Sequence, residues 1–174
     1  MANAGQFEAF FERTFAPLTG ALWLYCGDRV VAEEFAQEAL VRVARDWESV
    51  AVMRSPAGWT YRVAFNLANS YYRRKRIERR AVDRHNARPE RTAGVEPVAE
   101  ALVVRQAVGR LPARQREAIV LVYFADLSVS DVADVMSVPA NTVKSWLARG
   151  RTSLENELAG EFATPLDRED ADAS

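Results

Sequence analysis

Apolar side chains recur every three or four residues along most of the chain, as in Phe7, Phe10, Phe11, Phe15, Leu18 and Leu22, and no segment requires strand-like alternation. Helices patterned this way each bury one stripe against a neighbour, so the expected fold class is all-α. With 174 residues, 49% of them hydrophobic, the chain has material for one or two compact helical units.

Local chemistry marks the helix ends. Pro17 is expected to open a second helix, which stops at Gly27, and Asp28 caps the next, whose apolar stripe includes Val31, Phe35, Ala39 and Val43. Ser55 is a good N-cap and Pro56 fits a first helical turn, so another helix runs from Pro56 into a basic cluster. Between 83 and 97 the composition turns to Arg, Asn, Pro, Thr, Gly and Glu, which reads as a flexible basic linker. Helical spacing resumes at Val98, breaks at Leu111-Pro112, and returns through Ile119, Val122 and Tyr123. The expected organisation is therefore a helical domain over 1–82, a linker over 83–97, a second helical domain over 98–160 and a tail over 161–174. No internal repeat with a fixed period is visible.

Charge is unevenly placed along a chain whose net charge is only −1. Nine Arg or Lys between Tyr71 and Arg91 face three acids there, whereas seven acids after Leu154 face only Arg168. The acidic end beyond Thr164 has few apolar residues to bury and is expected to be disordered. One cysteine, Cys26, excludes an internal disulfide framework. No apolar run spans a bilayer and no signal peptide is evident, so no membrane insertion and a cytoplasmic location are expected. Cys26 and His85 lie in different segments, no metal-ligand cluster appears, and no glycine-rich phosphate loop follows a strand. No catalytic residue, metal or cofactor is therefore expected, and the chain does not read as an enzyme.

The segment from Leu127 to Leu154 reads as a helix-turn-helix. Ser128 can cap a short helix carrying Val129, Val132, Ala133 and Met136, Ser137-Val138-Pro139 forms the turn, and Pro139 suits the start of the second helix. On that helix Val143, Leu147, Gly150 and Leu154 make a docking stripe. The opposite side carries Asn141, Thr142, Lys144, Ser145, Ala148, Arg149 and Thr152, which are short, polar or cationic. Such a face suits the major groove of duplex DNA: Arg or Lys can donate to guanine, Asn can pair with adenine, and Ala or Thr can touch a thymine methyl. Trp146 sits at the margin of the docking stripe and is expected at the core edge.

A second candidate surface lies on the helix from Pro56, where Arg62, Phe65, Asn66, Asn69, Tyr72, Arg73 and Arg76 share one side. Aromatics that stack on unpaired bases, beside cations that hold the backbone, suit single-stranded nucleic acid. Equally, Phe65 and Tyr72 can be buried against another helix, with the arginines as a solvated flank.

Together these motifs resemble the extracytoplasmic-function (ECF) group of alternative RNA polymerase sigma factors, over Phe7 to Leu158. Ala32-Glu33-Glu34-Phe35-Ala36-Gln37-Glu38-Ala39-Leu40 resembles the family's acidic helix, which implies that Glu33, Glu34, Gln37, Glu38, Leu40 and Val41 dock on the clamp helices of core RNA polymerase. Trp59-Thr60-Tyr61-Arg62-Val63-Ala64-Phe65-Asn66-Leu67-Ala68 resembles the motif Trp-x-x-Arg-x-Ala-x-Asn, followed by the usual basic run. That resemblance implies that Trp59, Arg62, Asn66, Asn69, Ser70, Arg73, Arg74, Lys75 and Arg76, with the loop 52–58, open the downstream minus-ten promoter element and capture an extruded base. Leu111-Pro112, Arg114-Gln115-Arg116-Glu117, Leu127-Ser128 and Thr142-Val143-Lys144-Ser145 resemble the domain that reads the upstream minus-thirty-five element. Asp126 and Ser137 stand where glycines are common, Leu40 and Ala44 replace larger aromatics, and Trp146 replaces a frequent arginine. The implied partners are core RNA polymerase, promoter DNA and an anti-sigma factor that covers both faces. Two other readings use the same residues: a helix-turn-helix regulator that is not a polymerase subunit, and a helical adaptor that has lost DNA binding.

Overall fold

The computed structural model describes residues 2–82 and 99–162; the expected linker lies outside the described residues, as does the tail apart from its first two residues. Among the described residues there are eight helices and no strand: α1 Ala2–Cys26, α2 Arg29–Arg45, α3 Trp47–Val50, α4 Pro56–Val82, α5 Ala99–Arg110, α6 Ala113–Tyr123, α7 Val129–Met136 and α8 Ala140–Phe162. Helices α1–α4 form one domain and α5–α8 a second, in agreement with the all-α expectation.

Proline does not divide the first helix. α1 runs through Pro17 without interruption. Pro17 and Arg13, whose carbonyl loses its partner to the proline, both lie on the solvent side, while Phe10, Thr14, Leu18, Ala21 and Leu22 are buried. An exposed carbonyl is satisfied by water, so burial of the opposite stripe outweighs the missing hydrogen bond.

The predicted caps form as expected. Gly27 has φ +74° and closes α1, and its N–H donates to Trp23 O at 2.8 Å. The Asp28 carboxylate accepts from the N–H groups of Val30 and Val31 at 3.0 and 3.2 Å. Ser55 Oγ accepts from Gly58 N at 3.0 Å and starts α4.

α2 packs through Ala32, Ala36, Ala39, Leu40 and Val43, all buried, while Val31 and Phe35 are only half-buried. The buried stripe is thus rotated from the expected one, because the alanines let α2 approach α1 closely and leave the larger Phe35 at the edge, edge-on to Tyr71 at 5.6 Å. α3 inserts Trp47 beneath α1, 5.4 Å from the Phe7 ring and 5.0 Å from Phe10.

In the second domain α7 and α8 form the predicted helix-turn-helix. Ser128 Oγ accepts from Asp131 N at 3.1 Å and caps α7. Ser137, at φ +55°, closes it, and Asp126, at φ +53°, turns the chain out of α6; both occupy the left-handed region where glycine is at ease. Pro139 stands just outside α8, its carbonyl accepting from Thr142 and Val143 at 2.9 and 3.3 Å. α8 lies so close to α6 that a Cβ on Gly150 would meet Ile119 Cγ1 at 2.9 Å.

That approach predicts the effect of filling position 150. Gly150→Val should destabilise the second domain by about 1–3 kcal/mol, the usual cost of overpacking. A Cβ at Gly109 meets nothing within 4 Å, so Gly109→Ala should gain about 0.5–1 kcal/mol from helix propensity. Urea unfolding followed by circular dichroism reads both, and equal shifts at the two positions would contradict the packing.

Candidate nucleic-acid interface

Packing sorts the side chains of α8 onto two sides. Val143 and Leu147 are buried against α6 and α7, and Gly150 lies beside Ile119. Asn141, Lys144, Ser145, Ala148, Arg149 and Thr152 are exposed, and Thr142 is half-buried at the edge. The hydroxyls of Ser145 and Thr152 donate back to Asn141 O and Ala148 O, at 3.0 and 3.2 Å, which leaves oxygen lone pairs and the Thr152 methyl facing outward. Among the described residues neither Lys144 nor Arg149 forms a salt bridge. The result is a low-relief face with two unpaired cations, the form that groove entry requires. Trp146 is half-buried against the core, as its position on the stripe's margin implies.

The α4 side differs from the expected aromatic platform. Phe65 is 1% exposed, 5.1 Å from the Tyr25 ring and 6.4 Å from Tyr61. Tyr72 is half-buried and its hydroxyl donates to Cys26 O at 3.1 Å. The Phe65 ring is thus closed to base stacking, and the Tyr72 ring is half covered. Both fill the space between α1 and α4, where burying an aromatic ring outweighs exposing it at a cationic edge. What remains outward is amide and cationic: Arg62, Asn66, Arg73, Arg74 and Lys75 are exposed, and Asn69 and Ser70 are half-buried. The side chain of Arg76 lies outside the described residues. Trp59 is half-buried at an open cavity of about 670 Å³ shared with Phe7, Trp47 and Met53. The loop before α4 exposes Val52 and Met53.

On α2, Glu34, Gln37, Glu38 and Val41 are exposed and Glu33 is half-buried, with Arg29–Glu33 and Glu38–Arg42 paired at 3.1 and 2.9 Å. Leu40 is 2% exposed and belongs to the core. It follows Ala36 by one turn on the side facing α1, so it supports the α2 surface from beneath and does not form part of it.

Several side chains join the two domains through contacts that sequence reading did not indicate. Asn69 sits at their junction, where its carbonyl accepts from the Tyr25 hydroxyl at 2.5 Å and its amide donates to Glu117 Oε1 at 3.0 Å. Glu117 is 2% exposed and its other oxygen accepts from Arg114 at 3.2 Å. Burial raises its carboxyl above the ordinary 4.5, against the lowering effect of its bonds to Asn69 and Arg114. Arg116 donates to Tyr25 O at 3.1 Å and lies over the Tyr25 ring. Arg54 reaches Asp131 and Asp134 of α7, both at 3.1 Å, and Arg62 donates to Ser137 Oγ at 3.2 Å. Cys26 lines the cleft of about 800 Å³ between the domains, where burial pushes its thiol up to about 12. No local sequence signal points to these cross-domain pairs, which lie 48 to 91 residues apart.

Fold and exposed faces together define a two-domain helical protein that presents a small, polar and cationic helix face on one domain and a cationic, amide-bearing helix on the other. Residues 10–77 match the model for sigma-70 region 2, and residues 101–154 match that for sigma-70 region 4. The chain is 31% identical to the ECF RNA polymerase sigma factor SigW of Bacillus subtilis over 142 residues, covering 73% of this chain and 75% of that protein. With the ECF sigma factor SigM of Mycobacterium tuberculosis it shares 32% over 153 residues, 87% of this chain and 76% of the relative. The fold is similar to that of the sigma factor RpoE from Bartonella quintana, solved in complex with the anti-sigma factor NepR, with a TM-score of 0.75 at 20% identity over 91% of this chain and 99% of that one. It is also similar to CnrH, solved in complex with the cytosolic domain of CnrY, with a TM-score of 0.65 at 20% identity over 91% and 90% of the two chains. The chain belongs to the ECF RNA polymerase sigma factors, and its function is to bind core RNA polymerase and direct promoter-specific transcription initiation. Among the described residues no helix is long and apolar enough to cross a membrane.

The raised Glu117 carboxyl fixes the sign of a pH effect. An acid whose folded pKa exceeds its unfolded value holds its proton more tightly when folded. Its contribution is therefore fully present below the unfolded value and is lost as pH rises through the folded one. Replacing Glu117 by Gln should remove that loss, so E117Q should gain stability relative to the parent between pH 4.5 and pH 7.5. Urea midpoints at the two values check this, and a constant difference between the proteins would contradict it.

Proposed function

We propose that promoter recognition is divided between the modules 1–82 and 98–160, joined by the segment 83–97. α8 reads the upstream duplex element through Asn141, Thr142, Lys144, Ser145, Ala148, Arg149 and Thr152. α4 engages the downstream element as an opened strand through Trp59, Arg62, Asn66, Asn69, Ser70 and the cations Arg73 to Arg76, together with the loop 52–58. The observation that carries this reading is the two-sidedness of α8, whose inner side chains are buried and whose outer ones are small, polar or cationic. Phosphate contacts from the α4 cations supply salt-dependent affinity, and the α8 face supplies sequence preference. The exposed part of the α2 surface, Glu34, Gln37, Glu38 and Val41 with Glu33 at its edge, is the docking surface for core polymerase. Leu40 holds that surface in place from the core.

On this reading the protein acts in the cytoplasm as an initiation factor with no chemistry of its own. An anti-sigma partner is a further part of the proposal, supported by the solved RpoE of similar fold, whose complex contains one.

Two measurements test the division. Run-off transcription with core polymerase and the purified chain should yield discrete starts downstream of a shared upstream element. A regulator that is not a polymerase subunit yields none. Arg149→Ala should lose about 1–3 kcal/mol of discrimination at one or two upstream base pairs, the range for a bidentate base contact. Equal loss on cognate and scrambled duplexes, read by titration at fixed salt, would assign Arg149 to phosphate.

A further inference from the structure

The cleft of about 800 Å³ between the domains carries positive charge that its own residues do not neutralise. Its size lies within the range of small-molecule sites, about 300–1,000 Å³. Three guanidinium groups line it, Arg73 from α4 and Arg114 and Arg116 from α6. Arg114 pairs with Glu117 at 3.2 Å. Arg116 donates from its two terminal nitrogens to neutral acceptors, Tyr25 O and Leu111 O, both at 3.1 Å, and its Nε is buried without a partner. Among the described residues no carboxylate forms a salt bridge with Arg116 or with the exposed Arg73. A half-buried cation met only by neutral groups is costly, and an anion beside it offsets that cost. Glu117, the acid among the lining residues, is already bonded to Asn69 and Arg114, and burial favours its neutral form.

We infer that this cleft binds a small organic phosphate of nucleotide size, its phosphate oxygens on Arg73 and Arg116 and its organic part on Val135 and Met136. Each terminal nitrogen of Arg116 keeps a second N–H after its bond to a carbonyl, and the guanidinium fork matches phosphate oxygens. More than one cation favours a ligand with more than one negative charge, which a phosphate ester supplies and a single carboxylate does not. Val135 and Met136 at the end of α7 supply apolar surface, and Ser70 and Ser137 supply hydroxyls. Arg73 also belongs to the proposed strand contacts, and on that reading ligand and strand compete for it; the site itself stands without it.

The probe is ADP free of divalent cations, titrated into the full chain carrying isotope-labelled methionine methyl groups. Met136 lines the cleft and Met53 lines the separate cavity beside Trp59, so the first methyl reports occupancy and the second serves as reference. ADP should shift the Met136 signal saturably and leave Met53 unmoved. Adenosine lacks the phosphates and pyrophosphate lacks the organic part, and each should bind about tenfold more weakly than ADP or worse. Arg73→Gln should weaken ADP about tenfold, the loss of one charge-assisted contact. Arg13→Gln makes the same change in charge at an exposed position of α1 outside the cleft and should leave ADP binding as it was. No saturable shift of Met136 would overturn the inference, as would equal losses in the two arginine variants. A single-stranded oligonucleotide that moved Met136 at a lower phosphate concentration than ADP would also overturn it, by assigning the cleft to a strand.

Discussion

Position 150 carries no side chain, and the second domain is arranged around that fact. Ile119 of α6 occupies the space a Cβ would take, which brings α8 against the core along Val143, Leu147 and Gly150 and fixes which side chains remain outside. A larger residue there would push the recognition helix away from α6 and tilt its outer face. The presentation of the outer face of α8 therefore depends on a contact on the far side of the same helix. Ser128 as a cap and Ser137 in a left-handed turn set the entry angle, so few residues outside the outer face decide how that face is presented.

The junction between domains carries polar contacts beside an apolar core that continues from one domain into the other. A buried carboxylate is costly unless it is hydrogen-bonded, and Glu117 is bonded from both sides, by Asn69 of the first domain and Arg114 of its own. Hydrogen bonds have direction, so this pair specifies one docking geometry where apolar surfaces alone would permit several. Arg54 and Arg62 add contacts that are mostly solvated. Such a junction is specific in geometry yet held by exchangeable partners.

Much of the fold was legible because helix boundaries depend on nearby residues. Asp28, Ser55 and Ser128 cap helices through side chains that reach two or three residues along, and the family motifs lie on contiguous stretches. Pro17 misled because its local preference for a helix start was outweighed by burial of Leu18, Ala21 and Leu22 on the opposite side. Leu40 misled in another way, and for Phe65 the sequence left burial and exposure equally open. A periodic wheel shows which residues share a side, but the neighbouring helices decide which side is buried, and on α4 the buried side took the aromatics. The junction residues were not legible, because Glu117, Asp131 and Asp134 find their partners only after the chain has folded.

Promoter recognition divided between α8 and α4, as proposed, makes opening at the downstream element depend on reading of the upstream one. Permanganate footprinting of core polymerase with this chain on its promoter tests it directly. Reactive thymines should appear within the downstream element and disappear when only the upstream element is scrambled. Undiminished reactivity after that scrambling would contradict the proposed division between α4 and α8.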